Sequence, residues 1–170
     1  SYQRRILWGD EMMKNKTKKP VSMQQGKTDD FQTPSEALES LLPYLRKEWI
    51  IWECAEGQGN LSERLFSLGF NVIGSDILKR DFPMTQSLDN TNGKTIQHYS
   101  QKNFLHWQPE KFECIITNPP FSLKQEFLEK CYKLKKPFAL LLPLTTFETW
   151  KRQKLFQKYG LQIILFDKRI

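Results

Sequence analysis

The sequence is poor in the residues that build covalent or metal-clamped scaffolds. Its 170 residues include three cysteines, Cys54, Cys114 and Cys131, and two histidines, His98 and His106. The cysteines are odd in number and unclustered, and two of them sit in apolar strand-like contexts. That pattern excludes a disulfide framework and a zinc site, and points to a reducing, intracellular compartment. Neither histidine is spaced with a cysteine as a ligand pair, so no metal is expected. No apolar run approaches the roughly 20 residues needed to cross a bilayer. The opening Ser1-Tyr2-Gln3-Arg4-Arg5 also lacks the apolar core of a signal peptide, so no membrane partner is expected. There is no internal repeat.

What the chain does carry is apolar mass and positive charge. Hydrophobic residues make up 39%, with 12 Phe and 5 Trp, enough for one globular core in a chain of this length. The formal net charge is +7. Basic residues gather at Lys14 to Lys27, at Lys124 to Lys136, and at Lys151 to Arg169. Any one cluster reads most simply as the solvated face of a helix. Together they favour an anionic partner such as nucleic acid.

Residues 1–30 read as a basic arm and 31–170 as one domain. Thr33-Pro34-Ser35-Glu36 is a helix start, and Ala37, Leu38, Leu41, Leu42 and Leu45 continue it at helical spacing despite Pro43. Trp49-Ile50-Ile51-Trp52 is a strand, and Leu61 to Leu68 a helix ending at Gly69. A second strand runs from Asn71 to Asp76. Residues 77–94, with Pro83, Asn90, Asn92 and Gly93, read as a flexible loop. Further strands are predicted at Thr95–Tyr99, Phe112–Thr117, Pro137–Leu142 and Leu161–Phe166, with helices at Leu123–Leu134 and Phe147–Tyr159. Strands alternating with helices imply an α/β fold: a mostly parallel, twisted sheet with helices on both faces.

Between the first strand and its helix lies Glu53-Cys54-Ala55-Glu56-Gly57-Gln58-Gly59-Asn60. Gly57 and Gly59 can take positive φ and admit a ligand close to the backbone. A dinucleotide fingerprint would need a third glycine, and Glu53 and Glu56 would repel a pyrophosphate. An acid at the end of this strand suits a cationic amine instead. Asp76, ending the next strand about 20 residues on, suits a ribose diol. A nucleoside with an amino-acid tail and no phosphate meets these demands, and S-adenosyl-L-methionine is such a molecule. The plain alternative for a lone G-x-G is a tight turn.

Asn118-Pro119-Pro120-Phe121 follows the apolar strand Cys114-Ile115-Ile116-Thr117 and precedes a helix. Two prolines stop the ladder and stiffen the turn at the carboxyl end of the strand, where open α/β sheets bind ligands. The Asn118 amide oxygen and the Pro119 carbonyl form a rigid pair of acceptors for both hydrogens of a planar –NH2 group. The Phe121 ring can stack on the heterocycle that bears it. The plain alternative is a proline-stiffened turn with a surface Asn and a packing Phe.

The ordered set Phe31-Gln32-Thr33-Pro34, Glu53 to Gly59, Asp76, Asn103-Phe104 and Asn118 to Phe121 resembles the adenine-N6 amino-methyltransferases, in particular the small phage-like DNA N6-adenine methyltransferases. The resemblance spans roughly residues 30–170. It implies a Rossmann-like methyltransferase fold that moves a methyl group from S-adenosyl-L-methionine to the exocyclic amine of adenine, in DNA rather than RNA. Phe31 and Thr33 are then expected over the methionine moiety, with Glu53 facing its amine. The backbone at Gly57 and Gly59 is expected against the cofactor, and Asp76 on its ribose. The position after the third strand, an Asp in the family, is Asn103 here, with Phe104 beside it; its amide oxygen accepts the same bond from the cofactor's adenine without the charge. Asn118, Pro119, Pro120 and Phe121 are the expected catalytic residues.

The same turn also suits an RNA adenine or a protein glutamine, and a non-catalytic nucleic-acid-binding subunit of this fold is the other alternative. No separate target-recognition domain is visible. Such folds continue past the sixth strand into an antiparallel seventh, so the Ile163–Leu165 edge is expected to pair either with the arm, through Ile6 and Trp8, or with a second copy. A homodimer or a partner subunit is accordingly expected.

Overall fold

The computed structural model describes residues 35–79, 88–89 and 93–166. Six strands form one sheet: β1 Ile50–Glu53, β2 Asn71–Ser75, β3 Leu88–Asp89, β4 Thr95–Tyr99, β5 Cys114–Thr117 and β6 Phe138–Leu140. Their order is β3-β4-β2-β1-β5-β6. All neighbours run parallel except β3 and β4. The chain winds from β1 outward to β2 and β4, then returns to lay β5 on the other side of β1. Open α/β sheets bind ligands outside the carboxyl ends of the strands at such a reversal, here β1 and β5.

Alternation along the strands divides the core between the two faces of the sheet. Ile51, Val72, Ile96, Cys114 and Ile116 point to one face, with Leu38 of helix α1 (Ser35–Glu39) and Leu65 of helix α2 (Asn60–Ser67). Trp52, Ile73 and Ile115 point to the other, with Phe127 and Cys131 of helix α3 (Lys124–Leu134). Each fully buried side chain of this kind contributes about 1.5–3 kcal/mol. Burial on both faces, rather than the propensity of strands this short, therefore holds the sheet. Trp52 centres the second face: its ring lies 5.0 Å from Phe112 and 5.2 Å from Phe104, and its Nε1 donates to Ser75 Oγ at 2.8 Å.

The first helix stops earlier than its apolar spacing predicts. α1 ends at Glu39, and a separate 3-10 turn spans Leu42–Tyr44. Pro43 accounts for the break, because its ring would clash with the carbonyl four residues back, that of Glu39. The predicted cap at Thr33 lies outside the described residues, as do Phe31 and the arm with Ile6 and Trp8. Within the predicted loop at 77–94, Leu88 and Asp89 pair antiparallel with Ile96 and Thr95 and cover the outer edge of β4.

The predicted sixth strand at Leu161–Phe166 is not a strand. Leu161, Ile163, Ile164 and Leu165 are all exposed, Leu165 at 71%. An apolar run becomes a strand only beside a partner offering a ladder. β6 is three residues long, and Pro143 has no N–H to extend it. The described edge of the sheet on this side is β6. The helix predicted from Phe147 divides into a 3-10 segment, Leu144–Glu148, and helix α4, Trp150–Tyr159.

Candidate active site

Glu53 ends β1 and is buried, with 1% of its surface exposed. Its Oε1 accepts the hydroxyl of Thr117, the last residue of β5, and the backbone N–H of Ala55 at 3.1 Å. Burial pushes its pKa up to about 8 against the pull of these two bonds, with Glu56 and Asp76 adding to the rise. Glu53 and Asp76 thus stand at the carboxyl ends of neighbouring strands, with Glu56 close enough to be felt. The chemistry they favour is a cation, whose charge would offset the desolvation of Glu53.

The loop after β1 turns on two left-handed glycines, Gly57 at φ 58° and Gly59 at φ 87°. The Gly57 N–H donates to Asp76 Oδ2 at 2.8 Å, and the Leu78 N–H to Asp76 Oδ1 at 2.8 Å. Asp76 therefore ties the glycine loop to the end of β2 with one backbone bond to each oxygen. The Asp76 backbone in turn joins the end of β4, through Tyr99 O at 3.1 Å and the Lys102 N–H at 2.8 Å.

After β4, Asn103 Oδ1 accepts the Leu105 N–H at 2.9 Å, and its carbonyl accepts from His106 at 3.0 Å and Trp107 at 2.8 Å. Its side chain thus shapes the turn it occupies. Phe104, expected beside Asn103 at the cofactor, stands at this turn. Its ring is 2% exposed and stacks on Phe127 at 4.5 Å, within the core beneath the sheet. Lys130 Nζ bonds the carbonyls of Phe104 and Trp107, fixing this turn from below.

Asn118 to Phe121 leaves the end of β5 as a rigid turn. Pro119 is fully buried, Pro120 sits at φ −57°, and Phe121 begins a 3-10 turn closed by the Leu123 N–H on the Pro120 carbonyl at 2.9 Å. Lys124 Nζ bonds the Phe121 carbonyl at 2.9 Å. The Asn118 side-chain oxygen is buried. On the outer side, the Leu141 N–H donates to Thr117 O at 3.1 Å, joining this turn to the end of β6.

The fold thus gathers Glu53, Gly57, Gly59, Asp76, Asn103 and Asn118 to Phe121 at the carboxyl ends of β1, β2, β4 and β5. Phe31 and Thr33 lie outside the described residues. Sequence reasoning missed one pair: Glu56 Oε1 and His98 Nδ1 lie 2.7 Å apart. The available signal was a glycine, Gly74, within the strand Asn71–Ser75. Among the described residues, no group of three or more His, Cys, Asp or Glu side chains is arranged to hold a metal ion.

No protein-family model matches the chain, and no curated protein matches it in sequence. In structure it is similar to the crystal structure of a dimethyladenosine transferase from Plasmodium falciparum, with a TM-score of 0.50 and 17% identity over 69% of this chain. The match spans 46% of that chain, less than half its length. The chain folds as a Rossmann-like α/β domain, with a mostly parallel sheet and helices on both faces.

Proposed function

We propose that the chain is an S-adenosyl-L-methionine-dependent methyltransferase acting on the exocyclic N6 amine of adenine in nucleic acid, with DNA as the favoured substrate. One observation carries the reading: the bond from Thr117 to Glu53 sets the buried acid of β1 directly against the strand that launches Asn118 to Phe121. A cation-seeking pocket and a planar-amine clamp then share one crevice. The structural neighbour, a dimethyladenosine transferase, supports the choice of adenine.

The residues fit the cofactor. Oε1 of Glu53 already has two donors, so Oε2 would take the ammonium. Pairing with that cation lowers the Glu53 pKa, and the carboxyl proton passes to water. The Asp76 carboxylate, set at the end of β2 beside the glycine loop, would take the ribose diol, and the second lone pair of Asn103 Oδ1 the adenine amine. Gly57 and Gly59 adopt positive φ and, having no Cβ, leave the approach to the backbone open. Bound S-adenosyl-L-methionine supplies an electrophilic methyl group on a sulfonium.

The chain's own work is positioning and exclusion of water. An aromatic amine is a weak nucleophile, because its lone pair is delocalised into the ring. Accepting its two hydrogens at Asn118 Oδ1 and the Pro119 carbonyl favours a more tetrahedral nitrogen and stabilises the developing positive charge. The rigidity of the two prolines means little reorganisation is needed. Phe121 would stack on the base, which in a duplex must first be flipped out. No general base is required, since the product ammonium loses its proton to water.

The experiment is a filter assay with methyl-labelled cofactor on DNA, RNA and protein pools. Label in DNA recovered as N6-methyladenine is the expected result. Label in RNA alone moves the target to RNA adenine, a second reading favoured by the ribonucleoside named in the structural neighbour. Label in protein, or in nothing, defeats the proposal.

A further inference from the structure

A buried acid–imidazole pair lies behind the glycine loop, on the face of the sheet that carries α2. Glu56 belongs to the loop: its N–H donates to Ser75 O at 3.0 Å, and its carbonyl accepts the Gly59 N–H at 2.9 Å. Its side chain turns back over β2 and meets His98 Nδ1 at 2.7 Å, where the two side chains are 1% and 10% exposed. The seat exists because β2 has a glycine there. A Cβ on Gly74 would lie 1.9 Å from Glu56 Oε1 and 2.1 Å from its Cδ, inside any real contact. Gly74 and His98 are register partners across β2 and β4. The loop is thus held at two adjacent residues: by Asp76 on the Gly57 N–H, and by His98 on the carboxyl group of Glu56.

We infer that His98 is a positioning residue for the cofactor loop, holding Glu56 over Gly74 so that Gly57 and Gly59 keep the backbone geometry a ligand requires. The cofactor part of this inference rests on the function proposed above. A buried carboxyl group is tolerable only with a partner, and the ring of His98 places Nδ1 at hydrogen-bonding distance from it, as the donor in the Nδ1–H tautomer. A carboxylate recruited merely to fill the core would be a poor choice where an apolar side chain costs nothing to desolvate. Glu56 and His98 need not touch the ligand. They act through the turn whose backbone would.

The test compares wild type with His98→Leu, His98→Asn and Gly74→Ala, and with the Gly74→Ala/His98→Leu double variant. Amide hydrogen exchange at residues 56–60 is read beside calorimetry with S-adenosyl-L-methionine. Exchange at Ile51, Val72 and Ile115 reports whether the sheet is intact. His98→Leu should speed loop exchange about tenfold or more and weaken cofactor binding by about the same factor, the scale of one lost charge-assisted bond. His98→Asn, which keeps a donor near the Nδ1 position, should return both to within about threefold of wild type. Gly74→Ala evicts the same carboxylate, so the double variant should be no worse than the poorer single. Unchanged loop exchange in His98→Leu, no rescue by His98→Asn, or additive losses in the double variant would each overturn the inference. If His98→Leu does not fold, His98→Asn and Gly74→Ala still decide it. A wild type with no cofactor affinity defeats the proposed function instead, and the exchange measurements then judge the loop contact by themselves.

Discussion

Thr117, the last residue of β5, donates its hydroxyl to Oε1 of Glu53, the last residue of β1. These are the two strands between which the chain reverses its direction of winding. The bond is buried, and it joins the two strand ends from which the acidic loop after β1 and the Asn118 turn after β5 depart. It also holds Glu53 in place while burial works against its charge.

Glu53 should leave a pH signature on stability. Its folded pKa is about 8 against an unfolded value of 4.5, so between them the folded state holds the extra proton. The stability it contributes is fully present below the unfolded value and is lost as pH rises to about 8. Glu53→Gln removes that dependence. The melting temperature of wild type should therefore fall relative to the variant from about pH 5 to pH 8, then run parallel. Saturating cofactor should reduce the fall, because its cation pairs with the carboxylate. Parallel curves over the whole range would show that Glu53 does not titrate there.

The glycine loop is tested separately. Gly57→Leu places a side chain at φ 58°, a strained conformation costing about 1–2 kcal/mol, and fills the approach to the backbone. Asp76→Ala removes the acceptors of the Gly57 and Leu78 N–H groups along with any ribose bond. Both variants should lose measurable S-adenosyl-L-methionine binding by calorimetry. Undiminished binding in both would place the cofactor elsewhere.

Asn103 departs from an acid that the resemblance would place there, yet its oxygen already accepts the Leu105 N–H. Asn103→Asp keeps that acceptor and strengthens it, so the turn should survive. Cofactor affinity in the variant should equal or exceed that of wild type. A large loss would mean that the amide's N–H2, rather than its oxygen, is in use at this position.

The strands that position the site were legible because their alternation is plain: Cys114 and Ile116 face one side of the sheet and Ile115 the other. The residues at their carboxyl ends followed from that reading. What was not legible depended on register or on partners. Glu56 and His98 stand 42 positions apart, and only the pairing of Gly74 with His98 brings them together. Phe104 lies beside a site residue in sequence, yet its ring turns into the core against Trp52 and Phe127. The run Leu161–Phe166 has the composition of a strand and no ladder beside it. The early stop of α1 was written in Pro43, whose steric reach falls on Glu39.

The Asn118 turn carries the chemical prediction. Asn118→Ala removes one acceptor for the target amine and leaves in place Glu53, Gly57, Gly59, Asp76 and Asn103, which end or follow other strands. Cofactor affinity should therefore stay at the wild-type level while methyl transfer falls about 100-fold or more, the usual scale for one positioned polar group. Phe121→Ala should separate from it: the turn keeps its backbone closure through Pro120 and Leu123, and the loss is a stacking surface worth roughly 1–3 kcal/mol per base. Its effect should appear mainly in the KM for nucleic acid, with kcat much less changed. Single-turnover assays at saturating substrate distinguish the two variants, because stacking losses vanish there and lost transition-state contacts do not. Retained turnover in Asn118→Ala would reduce the turn to a structural stop at the end of β5, and the Glu53 crevice would then need another group to hold the amine.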